Sequence, residues 1–279
     1  MLGAFYPVLL VVGLMVGSFL TVLVSRLASG ETAIWGRSHC VHCGKILRWY
    51  ELLPALSFIA QGGQCRSCHQ AIPRWYLAIE LTSAGLFLAI GWAITENHLI
   101  LPRALSGFYG GGQGASWEWL LFFAYYAFFA ASAVLVSFYD ALTKTIPMLA
   151  VYALGAIGLA IRTVELLRFG DLDEFLLTIA AGLGAFLFFR GLWFLSKGRA
   201  LGRGDAGVAL AIVLYLGPIP SLVGLVLAFW VGAVFGLAAM ALGKLGWKSE
   251  IPFAPFLFGG ALLALFSPVL TLMSFGLGW

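Results

Sequence analysis

The chain reads as an all-α integral-membrane protein, a polytopic bundle of about eight transmembrane helices with one small polar insert. Three observations lead there. Of 279 residues, 62% are hydrophobic and only 10% are charged, a balance that excludes an ordinary soluble domain. Apolar runs of about 18 or more residues recur, each long enough to cross a hydrocarbon core. Polar residues gather in one stretch, 29–74, which also holds all four cysteines.

Taken in order, helices are expected near 4–26, 75–95, 118–138, 146–164, 174–195, 205–217, 221–242 and 252–273. The first run, Ala4 to Val24, lacks a basic leader and a small-residue cleavage site, so it is expected to stay as a helix. The sixth is cut short by Gly217-Pro218-Ile219-Pro220. Gly13-x-x-x-Gly17 and Gly232-x-x-x-Gly236 suit close helix contacts. The loop from Glu96 to Glu118, with Gly110 to Gly112 and Gly114, reads as a flexible connection without a phosphate-binding motif. Asp171, Asp173 and Glu174 suit the start of a helix, where acids complement the dipole.

Eight crossings put the odd-numbered gaps on one side of the membrane. That side carries 13 of the 16 Lys and Arg, from Arg26 and Arg37 through Lys144, Arg190 and Arg203 to Lys244 and Lys248. The other side has Arg103, Arg162 and Arg168. The positive-inside rule makes the basic side cytoplasmic and turns both termini outward. Asp140 opens the third gap and Asp205 closes the fifth, so both fall at the cytoplasmic face. Two carboxylates there, if they meet, are the equipment for acid/base hydrolysis of a peptide bond; if they do not, they are hydrated interface residues. Glu80, in an otherwise apolar segment, either reaches the surface or pairs with Arg74, or serves function.

The first gap forms a cytoplasmic, zinc-ribbon-like insert. Cys40-x-x-Cys43 is followed by Cys65-x-x-Cys68, two pairs that complete a tetrahedral four-cysteine site for structural zinc. The rival readings are disulfides or a redox role; a reducing cytoplasm disfavours structural disulfides and not zinc thiolates. His39, His42 and His69 are left as surface residues. About 45 largely polar residues bury little core, so metal binding supplies their fold. The domains are then the first transmembrane helix (1–28), the four-cysteine insert (29–74) and a transmembrane core (75–279).

These residues, in this order, resemble the type IV prepilin peptidases, integral-membrane aspartic proteases of the GxGD type. Gly17-Ser18-Phe19-Leu20-Thr21-Val22 with Arg26-Leu27 looks like the opening motif. Ser38-His39-Cys40, Cys43, Trp49, Pro54, Ser57, Cys65, Cys68, Ile72, Tyr76 and Glu80 keep the family's spacing. Asp140 with Thr143 and Ile146-Pro147 is similar to the first catalytic motif, and Gly202-x-Gly204-Asp205 to the second. Ile251-Pro252-Phe253-Ala254-Pro255-Phe256 matches the last, with Ala254 where glycine is usual. Two further departures are Gly207, where a lysine is common, and Val41, where proline is usual within the first Cys-x-x-Cys. Arg203 is a candidate substitute for the missing cation.

The resemblance implies an aspartic dyad of Asp140 and Asp205 that removes basic leaders from prepilins or pseudopilins at the cytoplasmic side of a bacterial inner membrane. Gly202 and Gly204 would let an extended substrate strand approach Asp205. It also implies N-methylation of the new N-terminus with S-adenosylmethionine, associated with the insert; no Rossmann-type glycine fingerprint marks a cofactor site. Expected partners are these substrates, each with a basic leader and a hydrophobic helix, and the lipid bilayer, with no nucleic acid. The alternative from another class is a non-enzymatic membrane scaffold with a zinc-ribbon docking module.

Overall fold

The computed structural model describes residues 5–32, 36–96, 99, 116–198, 201–244, 246 and 250–267. Among these the regular structure is helical, with two isolated antiparallel bridges, His39 to Ile46 and Gln64 to Ala71. The helices are α1 (Phe5–Ser29), α2 (Leu56–Ala60), α3 (Arg74–Thr95), α4 (Ser116–Thr143), α5 (Met148–Phe169), α6 (Leu172–Leu195), α7 (Asp205–Leu216), α8 (Pro218–Ala241) and α9 (Ala254–Leu265). A 3-10 turn covers Trp49–Leu52.

Six helices are long and apolar enough to cross a membrane: α1, α3, α4, α5, α6 and α8. The outward side chains of α5, α6 and α8 include Leu149, Leu187, Phe194 and Trp230, all largely exposed, as lipid-facing positions require. The protein is therefore a multi-pass membrane protein. The expected sixth and eighth helices exist but are short, 12 residues each. At 1.5 Å per residue either spans roughly 18 Å, less than the ~30 Å of a hydrocarbon core. The expected extension of the last helix to residue 273, and most of the 96–118 loop, lie outside the described residues.

The chain divides into two compact units. The first comprises 1–92 and 125–138, and the second 93–124 and 139–279. In the first, α1 and α3 meet at glycines. A Cβ on Gly13 would stand 2.7 Å from the Ala84 Cα, and one on Gly17 2.6 Å from the Glu80 Cα. The Gly-x-x-x-Gly motif is thus a helix contact, in which the missing side chains let two backbones touch.

In the second unit α7 is the centre, in contact with α5, α6, α8 and α9. Nine of its 12 residues are buried, which fits a sequence apolar on every side. Glycines again set the spacing: a Cβ on Gly158 of α5 would fall 2.6 Å from the α7 backbone at Leu214 and Tyr215. Gly217 ends α7 at φ 88°, a left-handed value that suits glycine, and Pro218 begins α8 where its missing N–H costs nothing. Helices α8 and α9 cross with backbones in contact, because Gly224 faces Ala261 and Gly260 faces Ala228.

Candidate active site and metal centre

The second unit holds both aspartates. Asp140 lies in the last turn of α4 and Asp205 is the first residue of α7. Both are buried, at 5% and 2% exposure, yet both line one cavity of about 1400 Å³. They lie close enough for the charge of Asp140 to act on Asp205.

Each carboxylate is held by a backbone N–H. Asp140 Oδ2 accepts from the N–H of Ala254, 3.2 Å away, at the start of α9. A helix start offers unpaired N–H groups and a positive dipole end, so a carboxylate is favoured there. Asp205 Oδ2 accepts from the N–H of Gly202 at 2.7 Å, which folds Gly202-Arg203-Gly204 back over the carboxylate. Gly204 has a different duty. A Cβ there would meet the Ile146 side chain at 2.9–3.0 Å. The space beside Gly204 is thus taken by the Ile146 side chain. The three motifs meet here: one supplies Asp140 and Ile146, the second Asp205 and the glycines, and the third the Ala254 N–H.

Two of the three departures, Ala254 and Gly207, have local explanations; nothing in the structure explains Val41. Ala254 acts through its backbone, which it shares with glycine, and its side chain is fully buried. Beside Gly207 the room is filled by Met148, whose Cε would lie 3.2 Å from an added Cβ. Basic groups still rim the cavity: Lys144, Arg190 and Arg203. Arg190 and Arg203 both lie over the ring of Trp193, at 4.6 and 6.0 Å from its centroid. Lys144 reaches Glu250 at 3.5 Å. The role of Trp193 was open to sequence reasoning, since it follows Arg190 by three residues on one helix face. The Ala254 N–H was not, because nothing in a residue's identity marks its amide.

The first unit holds the cysteines. The four Sγ atoms of Cys40, Cys43, Cys65 and Cys68 lie within 4.8 Å of one another. Cys40 and Cys68 are 3.9 Å apart, far beyond a disulfide bond, and near the edge of about 3.8 Å that a tetrahedron of 2.3 Å metal–sulfur bonds requires. The two halves share one backbone design. In the first, the Cys40 N–H donates to Lys45 O and the Gly44 N–H to Cys40 O. In the second, the Cys65 N–H donates to Gln70 O and the His69 N–H to Cys65 O. Gly44 and His69 are equivalent, at φ 69° and 55°. The N–H groups of Cys68 and Ser67 hold the Cys65 thiol down at about 6. Against an N–H bond from Gln70, burial and the neighbouring sulfurs push Cys68 up to about 11. Four crowded sulfurs resist full ionisation unless a cation sits among them, so the donor set fits a thiolate-bound metal. His39, His42 and His69 are exposed, as expected.

Two carboxylates anchor the insert. Glu51 is buried, accepts the Arg48 N–H at 2.8 Å and pairs with Lys45 at 3.5 Å. The Arg48 N–H bond, with Lys45 and Arg66 nearby, holds its carboxyl below the usual range despite burial. Glu80, buried on α3, neither reaches the surface nor ends in an ion pair with Arg74. Its Oε2 accepts the N–H of Ala55 at 2.7 Å, and Ala55 sits at φ 56°, strained for a residue with a Cβ.

Fold and site together define a class: a multi-pass helical membrane protein with two buried carboxylates on one cavity and a four-cysteine insert. Comparison with known proteins narrows it. A family model described as the bacterial peptidase A24 N-terminal domain matches residues 11–94. A prepilin leader peptidase/N-methyltransferase of Burkholderia pseudomallei (strain 1026b) is 30% identical over 289 residues, covering 92% of this chain and 84% of the relative. One from Bacillus subtilis (strain 168) is 27% identical over 258 residues, covering 92% of each. No solved structure matches. The chain belongs to the prepilin leader peptidase/N-methyltransferase family.

Proposed function

We propose that this protein is an aspartic endopeptidase that removes the basic leader from type IV prepilins or pseudopilins at the cytoplasmic face of a bacterial inner membrane, and then methylates the new N-terminus. The observation that carries the first activity is the pair of buried carboxylates, Asp140 and Asp205, lining one cavity with a backbone donor for each. In the reaction the two share one proton, since neighbouring carboxylates resist double ionisation. The ionised partner takes a proton from water as it attacks the scissile carbonyl. The protonated partner gives its proton to the carbonyl oxygen or the leaving amine. The substrate's hydrophobic helix stays in the bilayer while its leader lies in the cytoplasm, which accounts for a site at the basic, positive-inside rim.

Residues 29–74 serve as the metal-binding insert and the remaining helices as the peptidase scaffold. Zinc, held by Cys40, Cys43, Cys65 and Cys68, would supply structural cross-linking. S-adenosylmethionine, when bound, supplies an electrophilic methyl group. The relatives' names support the methylation reading. The scaffold alternative predicts that both aspartates tolerate substitution.

The deciding experiment incubates the purified protein with a synthetic prepilin and reads both products by mass. Cleavage by the wild type and its loss in Asp140→Asn and in Asp205→Asn are expected. Full cleavage by either variant overturns the dyad. A product that never gains one methyl mass, with cofactor present, overturns the second activity.

A further inference from the structure

The cavity that holds the aspartates extends well past them, and the extension has a defined shape. Nine of the 12 residues of α7 are buried, and the three that are not, Gly207, Leu210 and Leu214, recur at helical spacing. All three line the cavity. This stripe starts beside Asp205 and runs along α7 away from it. A second stripe lies on α5, where Tyr152, Ala156 and Leu159 line the same cavity and are exposed. Helices α5 and α6 both pack along α7 but touch each other only lightly, so α7 is the floor of a cleft between them. Both walls sit directly on that floor: a Cβ on Gly182 of α6 would meet Leu210 at 2.9 Å, and one on Gly155 of α5 would meet Ala211 at 3.6 Å.

Depth and chemistry single out the occupant. From Met148 to Leu159 the α5 wall runs about 16 Å, at 1.5 Å per residue. That is roughly half of a ~30 Å hydrocarbon core, a depth that a polar leader peptide does not need. Among the described residues, the α5 and α7 walls beyond Asp205 carry no charge, whereas Lys144, Arg203 and Glu250 lie in the connections that flank the aspartates. A helix 10–12 Å wide and 16 Å long fills about 1300–1800 Å³. The cavity measures about 1400 Å³. Its far end is closed: Arg162, three residues past Leu159 and buried, pairs with Glu165 at 2.8 Å and reaches Glu174 of α6 at 3.9 Å, tying the two walls together. A lipid tail also suits an apolar cleft, but a cleft that leads to two buried carboxylates matches a chain that carries a peptide bond.

We infer that the cleft between α5 and α6 is a lateral port, through which the hydrophobic helix of the substrate moves from the bilayer onto α7 while the bond to be cut rests at the aspartates. The inference deepens the peptidase half of the proposed function and rests on it. Sideways entry keeps the apolar side chains of the substrate in lipid throughout, so none has to cross water. The closed end limits the bound stretch to about ten residues.

The test uses full-length protein in lipid nanodiscs. A photoreactive benzoylphenylalanine is placed at Ala156, at Leu159 or, as a lipid-facing control, at the exposed Leu149, each together with Asp205→Asn so that bound prepilin stays uncut. Cross-links from positions 156 and 159 should map to about the first ten hydrophobic residues after the cleavage site, and those from 149 to lipid. With both aspartates intact, Ala156→Trp and Leu159→Trp, which fill the cleft, should raise KM for prepilin by about tenfold or more and change kcat far less. Unchanged KM in both tryptophan variants overturns the port. So do cross-links from 156 and 159 to lipid alone at saturating prepilin, which would make the cleft a lipid site. Either result beside normal wild-type cleavage leaves the peptidase standing. Cross-links from the cleft to prepilin, with full cleavage by Asp205→Asn, would keep the port and overturn the dyad.

Discussion

Asp140 and Asp205 are equivalent in formula but not in support: one is held by the first amide of a helix, the other by an amide three residues back in its own turn. Replacing either by Asn removes a proton donor and acceptor from the reaction. Leader cleavage should fall by roughly 10²–10⁴-fold, read as product mass per unit time. Ala254→Gly keeps the amide, so cleavage should hold at the wild-type rate while stability drops by about 0.5–1 kcal/mol from the added backbone freedom. Glu51 gives a pH prediction. Its folded-state carboxyl titrates below its unfolded value, so its stabilisation is complete above the ordinary carboxylate range and is lost as pH falls through the lower, folded value. Amide-exchange protection of Trp49–Leu52, corrected for intrinsic rate, should fall over that acid window in the wild type. In Glu51→Gln it should start lower and lose that dependence.

At the scale of elements, the helix order was legible because apolar runs and their Gly/Pro boundaries are properties of sequence. The start of α7 at Asp205 follows from such local signals, whereas α8 begins at Pro218, three residues before the expected 221, because proline fits the first turn of a helix. The length of α7 was harder to judge: hydropathy does not distinguish a helix wrapped in lipid from one wrapped in protein, and α7 is the latter. The paired aspartates were legible as residues, but their supports were not. Gly204 looked like room for substrate, whereas the room is occupied by Ile146, 58 positions earlier in the chain. Gly204→Ala should therefore cost about 1–3 kcal/mol through overpacking. Trimming the partner, in Gly204→Ala with Ile146→Val, should return part of it; a strictly additive double mutant would show that the two sites do not touch. In the insert, one zinc per chain is expected by elemental analysis, and Cys43→Ser should release it together with the exchange protection of the surrounding knuckle.

For the whole molecule, charge sets orientation. With 13 of 16 basic residues assigned to one side, a periplasm-dependent phosphatase fused after Gly170 should be active and one fused after Lys197 silent. The opposite pattern would invert the protein and place the aspartate cavity away from prepilin leaders.

The shortness of α7 reaches beyond geometry. A 12-residue apolar helix gains little from lipid alone and is held by the four helices around it. The residue that opens it is Asp205, so seating α7 is what places one of the two proposed catalytic aspartates. Under rising temperature or harsh detergent, hydrolysis should disappear while the six long helices still give a full far-ultraviolet circular dichroism signal. Activity in this protein is therefore an early gauge of loosening, and helical content a late one.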